Sequence, residues 1–266
     1  MRRMHLFEFE DFNWLPKVIR NGGTDFLNFW FGKIRFYTGV SSQLSALLKT
    51  SGIKKVTDLC SGGGGGTLDI VKLIMTEHPN VKFSFTDQNP NEAAMRRILE
   101  LKNKNLAYLN EPLNAMEVKG NPETLITMSG ALHHFTPDDI KTLLSRITDQ
   151  GVSLAFFDVA PLEVLRRIPI ILAPIVILVN MAILTFISLL IMPAILPYRF
   201  SRIFFTYFIP AIPFLIAWDG TISVIRAYRP EEILSISKSL PKGDSYNWDA
   251  GVAGNALYLT GIMKKI

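Results

Sequence analysis

The chain has 266 residues, enough for one large domain or two smaller ones; 48% of them are hydrophobic and the formal net charge is +5. Lys and Arg are scattered rather than gathered in runs, which argues against nucleic acid and suits an anionic membrane surface at least as well. A single cysteine, Cys60, excludes an internal disulfide and a cysteine-rich zinc site and suits a reducing cytoplasm; no metal is expected.

The opening "MRRMHLFEFEDFNWLP" is basic and then mixed acidic and aromatic, without the apolar core of a signal peptide. The stretch that follows sets Trp14, Phe26, Phe29, Trp30, Phe31 and Phe36 among Lys and Arg, a composition shared by interfacial amphipathic helices and substrate-covering caps. Residues 1–50 are therefore expected to form an aromatic-rich N-terminal cap.

Ile53–Cys60 reads as a buried strand, and Thr67–Glu77 carries Leu68, Val71, Leu73, Ile74 and Met75 on a broad helical stripe. Five consecutive glycines, Gly62 to Gly66, stand between them. Glycine loses more conformational freedom on folding than any other residue, so such a run needs a compensating close approach of the backbone to something. "VKFSFTD" alternates, with Val81, Phe83 and Phe85 on one face. Asn89-Pro90-Asn91-Glu92 then predicts a helix to about Lys102, with Asn89 as its N-cap. "TLITMSG" is the next strand, and "TPDD" opens a helix with Thr136 as cap, Pro137 at the first helical position and Asp139 two further on. "VSLAFFD" is a further strand. Strands separated by helix-length segments predict a parallel α/β sheet with helices on both faces.

In such sheets ligands gather at the carboxyl ends of the strands. The glycine run does not fit a phosphate-binding loop, because no Lys precedes Thr67, and it cannot complete G-x-G-x-x-G in any register. It does fit a third pattern. "VTDLCSGGGGGTL" resembles the first motif of class I S-adenosylmethionine-dependent methyltransferases, acidic-x-Gly-x-Gly-x-Gly, with Asp58 acidic, Cys60 replacing the first Gly, and Gly62 and Gly64 matching the next two. "FTDQNP" is similar to that family's second-strand acidic segment, "LNAMEV" to its adenine-edge motif with Asn114 in place of Asp, and "TMSGALHHFTPDD" to its fourth-strand segment.

The resemblance covers roughly Val56 to Asp139. It implies a Rossmann-like methyltransferase sheet and S-adenosylmethionine as cofactor, held by Asp58, Cys60, Ser61, Gly62, Gly63, Gly64, Asp87, Gln88, Asn114, Ala115, Met116, Ser129 and Gly130. Glycines admit the nucleoside against bare backbone, and Asp87 offers two acceptors to a ribose diol. His133, His134 and Asp158 are candidate bases for an acceptor that must lose a proton. Blander roles stand beside these: Asp58 bracing its own loop, Asp87 as an exposed turn residue, structural histidines, and Cys60 as a small buried side chain.

From Ile168 to Tyr198 there are 31 residues without a charge, and from Ile203 to Trp218 another 16, with Arg199 and Arg202 between them. This is long enough for an apolar helical membrane insertion between the fifth and sixth strands. "DGTISVIRAYRPEEI" reads as the return to a soluble fold, with Arg226 and Tyr228 candidate pocket residues, and "SYNWDAGVAGNALYLTGIMKKI" as two final antiparallel strands. Those strands must rejoin the sheet, so an odd number of crossings is excluded. Two crossings would strand Arg199 and Arg202 away from Arg166, Arg167 and Arg226, so helices seated within one leaflet are preferred to a through-going hairpin. The expected division is 1–50 as cap, 51–160 with 219–266 as catalytic domain, and 161–218 as insertion.

The resulting expectation is a membrane-associated methyltransferase with a cytoplasmic catalytic domain, acting on a hydrophobic small molecule or lipid. A nicotinamide-dependent oxidoreductase on the same general fold is one alternative. A non-catalytic, membrane-associated cofactor- or lipid-binding protein is the other, and a soluble protein with an apolar dimer face or lid is the bland reading of the insertion.

Overall fold

The computed structural model describes residues 3–161 and 169–264, so Arg166, Arg167 and Ile168 lie outside the described residues. The chain divides into two units, Phe31–Ala160 with Tyr228–Ile266 and Met1–Trp30 with Pro161–Ala227.

The larger unit is built on seven strands: β1 (Lys55–Leu59), β2 (Lys82–Phe85), β3 (Leu106–Tyr108), β4 (Thr124–Ser129), β5 (Ser153–Val159), β6 (Tyr246–Ala253) and β7 (Ala256–Met263). Their order is β3-β2-β1-β4-β5-β7-β6. The first five are parallel, and β7 is antiparallel to both β5 and β6, the finish expected from the tail. The two-residue period sorts the core. Ala155 and Phe157 of β5 join Val56, Phe83, Phe85 and Leu125 on one face, whereas Leu154 and Phe156 join Leu59, Ile126 and Met128 on the other.

Helices cover both faces. Against the first lie α2 (Thr38–Ser51), through Val40, Leu44, Leu47 and Leu48, together with α3 (Gly65–Glu77) and α4 (Glu92–Glu100). The second is covered by α5 (Pro137–Asp149), through Ile140, Leu143, Leu144 and Ile147, and by Ile233 of α9 (Pro230–Lys238). Thr136 caps α5 in a complete capping box with Asp139, as expected. The cap of α4 is Asn91 rather than Asn89: its side chain accepts from the Ala93 and Ala94 N–H groups. Asn89 is otherwise engaged, its N–H donating to Asp87 Oδ1 at 2.7 Å.

The smaller unit contains α1 (Lys17–Lys33, through Trp30), α6 (Ala173–Ile191), α7 (Phe200–Tyr207) and α8 (Ala211–Arg226). Leu15, Ile19 and Phe26 of the N-terminal segment pack with Met192, Ile195, Ile212, Leu215 and Ile216. With the turn that follows α6, residues Ala173–Ala194 form one helix long and apolar enough to cross a membrane. Two sequence boundaries move. The N-terminal break falls after Trp30, not at residue 50, because α2 packs on the sheet core. The second falls after Ala227, not at Trp218, because α8 runs on through Asp219. That carboxylate accepts from the N–H groups of Phe9 at 2.8 Å and Glu10 at 3.1 Å. Pro210 separates α7 from α8, whose axes differ by 74°.

Candidate functional site

The turn after β1 explains the spacing of its motif. Cys60, Gly62 and Gly64 all have left-handed backbones, with φ of +54°, +48° and +73°. Alternate residues thus occupy the conformation that only glycine adopts without strain, which is why a pattern with glycine at every second position suits this corner. Cys60 holds the first of these positions at a cost of about 1–2 kcal/mol. Burial pushes its thiol up to about 12, with Asp87 and Asp58 adding to the effect, so it is a packed thiol rather than a thiolate nucleophile.

Asp58 organises this turn from beneath. It is fully buried and accepts from Ser61 Oγ and from Thr127 Oγ1 of β4, both at 2.7 Å. Thr127 is its neighbour in the β1–β4 register. Burial raises the carboxyl to about 6; the hydroxyls of Ser61, Thr127 and Thr67 pull the other way, and Asp87 adds a smaller upward push. Asp58 is therefore the brace of its own loop.

Asp87, just past β2, ties the second loop to the first: its Oδ2 accepts from the Gly62 N–H at 2.7 Å. Tyr108, at the end of β3, donates its hydroxyl to the Gly62 carbonyl at 3.0 Å and accepts from the Asn91 N–H at 3.2 Å. Both Asp87 oxygens thus serve backbone donors, and each keeps a second acceptor lone pair. Beside Gly62, the position a Cβ would take meets no atom within 4 Å, so the loop faces open space there. Gln88 is exposed. Asn114 uses its side chain to cap the turn Ala115–Glu117, accepting from the Met116 N–H at 2.9 Å, with Ala115 buried and Met116 partly buried.

A second cluster forms at the ends of β4 and β5. Ser129 Oγ is buried without a hydrogen-bond partner, an arrangement that calls for a ligand or water. Gly130 follows at φ +69°, and a Cβ there would lie 2.8 Å from the Tyr37 hydroxyl oxygen. Tyr37 is buried, and burial, with Asp158 and then Asp58 adding to it, holds its phenol far above the usual range. Asp158 accepts from the His133 N–H at 2.6 Å, from the Val159 N–H at 2.8 Å and from His133 Nδ1 at 2.7 Å. A carboxylate only accepts, so Nδ1 carries the proton of this bond. His134 packs its ring at 4.3 Å from that of His133.

The strand ends thus bring together Asp58, the loop from Cys60 to Gly64, Asp87, Ser129, Gly130, His133 and Asp158. Arg226 pairs with Glu8 at 3.3 Å and Asp11 at 2.8 Å within the smaller unit, and Tyr228 is fully buried, donating to the Phe135 carbonyl. Sequence reasoning missed Tyr37, Tyr108 and Thr127. None carries a local signal, because each meets its partner across tens of residues of chain.

No protein-family model matches the chain, and no curated protein resembles it in sequence. Solved structures do match. An O-methyltransferase family protein from Burkholderia thailandensis aligns over 90% of this chain and 59% of its own length, at 12% identity and a TM-score of 0.52. The S-adenosylmethionine-dependent methyltransferase SibL, in its apo form, aligns over 89% of this chain and 58% of its own, also at 12% identity, with a TM-score of 0.51. The chain spans less than three-fifths of the length of either. At this identity the likeness is one of architecture, and the chain has the fold of these methyltransferases.

Proposed function

We propose that this protein transfers a methyl group from S-adenosylmethionine to a lipophilic small molecule or lipid at a membrane. The observation that carries the reading is the left-handed alternation at Cys60, Gly62 and Gly64, which bares the backbone at the end of β1 on a methyltransferase fold. Two further features fit the cofactor: the open space beside Gly62 and the unpartnered, buried Ser129 Oγ. Backbone groups of the loop from Cys60 to Gly64 would hold it, with Asp87, the Asn114–Met116 turn, Ser129 and Gly130. When bound, the cofactor supplies an activated methyl group.

The chain's own residues then orient the acceptor and manage its proton. His133 Nε2 takes the proton of an acceptor hydroxyl, and Asp158 steadies the imidazolium that results, from a carboxylate already locked by two backbone N–H groups. The lipophilic acceptor and the membrane are read from the apolar smaller unit, whose α6 leaves Ile175, Leu178, Ile183, Phe186 and Leu190 exposed. The test is transfer of labelled methyl from S-adenosylmethionine into lipophilic acceptors in a lipid extract. Label in the organic phase supports the reading. Cofactor binding without label across broad extracts would favour a binding module, and binding of only a nicotinamide dinucleotide would favour an oxidoreductase.

A further inference from the structure

The smaller unit has two unlike sides. On α6, Ile175, Leu178, Val179, Ile183, Phe186 and Leu190 form an exposed stripe at helical spacing. The polar side chains around it are turned inward or bonded to the backbone. Asn180 Nδ2 donates to Thr221 Oγ1 of α8 at 2.8 Å, Ser188 Oγ donates to the Thr185 carbonyl at 2.7 Å, and Tyr207 donates to the Leu189 carbonyl. Arg202, 2% exposed, is spent on Asp25 at 2.8 Å and on the carbonyls of Ile195 and Pro197. A surface that meets water has no need to satisfy its polar groups internally; one that meets hydrocarbon does.

The other side is charged at the same level. The Asn180–Thr221 bond sets the first half of α6 beside the middle of α8. Within two turns of Thr221, α8 holds Asp219, which binds the Phe9 and Glu10 N–H groups, and Arg226, which binds Glu8 and Asp11. Asp11 is exposed, and Arg20 reaches the carbonyls of Glu10 and Phe12 nearby. Although α6 is long enough to cross a bilayer, drawing its first half through would pull this charged segment into the hydrocarbon with it.

We propose that the α6 stripe seats the protein on one leaflet of a lipid bilayer, lying along the membrane rather than crossing it. The inference rests on the membrane part of the proposed function and is independent of methyl transfer.

The full chain would be floated with vesicles of phosphatidylcholine, with and without phosphatidylglycerol. A Cys60→Ser, Tyr198→Cys variant would be bound to sealed vesicles carrying a membrane-impermeant thiol reagent inside. The expected results are flotation, a vesicle-bound fraction at least tenfold lower for Leu178→Glu with an unchanged circular dichroism spectrum, and no labelling of the introduced thiol from the lumen. Labelling from the lumen would overturn the one-leaflet seat. Failure of the wild type to float, as monomer or as lipid-free dimer, or unchanged flotation of Leu178→Glu, would overturn the bilayer as partner. Cofactor binding measured without vesicles reports on methyl transfer separately.

Discussion

The two units distribute polarity in opposite ways. In the larger one, Leu154, Ala155, Phe156 and Phe157 of a single strand disappear into cores on both faces, and the chemistry gathers where the strands end. The smaller one buries Arg202 and Arg226 and leaves Leu178, Phe186 and Phe200 outside. Burial of an arginine is tolerable only with partners, and both have carboxylates. The contrast teaches that burial is organised differently in the two: one hides apolar strands and gathers polar groups at their ends, the other hides paired arginines and leaves apolar side chains exposed.

If that division is real, damage to one unit leaves the property of the other intact. The largest expected effect is on Asp158→Asn, which turns one of the two acceptor oxygens into an amide donor and so no longer fixes the His133 tautomer. It should lower kcat by about 100- to 10,000-fold, with vesicle flotation and cofactor affinity unchanged; a matching loss of flotation would break the comparison. Next is Arg202→Met, which leaves Asp25 only its longer pairing with Arg199 at 3.7 Å and leaves the Ile195 and Pro197 carbonyls without their donor; it should cost about 1–3 kcal/mol of stability in a denaturant titration. Stability equal to wild type would mean that the buried ion pair is not formed.

Asp58 gives a pH-dependent case. Its folded-state pKa, raised to about 6, lies above the ordinary 3.8. The native state therefore keeps a proton that the unfolded chain has lost between those values. The associated stability is fully present below about pH 4 and is lost as pH rises to about 6, a decline on the order of 2–3 kcal/mol. Asp58→Asn should flatten that segment of the stability–pH curve, and an unaltered slope would remove Asp58 as its cause. The smallest effect is expected from Cys60→Gly, which relieves a left-handed side chain and should stabilise the fold by about 1 kcal/mol, less whatever packing the thiol contributed. A clear loss of stability would mean that packing dominates at this position.

Local rules made much of the sheet unit readable. The alternation of Val81, Phe83 and Phe85 and the Thr136–Asp139 capping box depend on residues a few positions apart, and both stand in the structure. The Cys60, Gly62 and Gly64 positions were legible as a pattern, but the physical reason for it, three left-handed residues in alternation, needed coordinates. What escaped depends on distant partners. β3 is only Leu106–Tyr108, too short for a period to register. Thr127 reads as one more strand residue until Asp58, 69 residues earlier, is placed beside it. Asp219 looked like the end of an apolar segment because its partners, Phe9 and Glu10, lie some 210 residues away. The cap fell to Asn91 rather than Asn89 because the helix starts only at Glu92, where the Asn91 side chain reaches the Ala93 and Ala94 N–H groups.

The most direct test is a calorimetric titration of the purified full chain with S-adenosylmethionine, and in parallel with NADH and NADPH. Saturable one-to-one binding of S-adenosylmethionine alone, weakened in a Gly62→Val variant that fills the open space beside the loop, is the predicted result. No heat with S-adenosylmethionine, or binding of a nicotinamide dinucleotide in its place, would contradict the account.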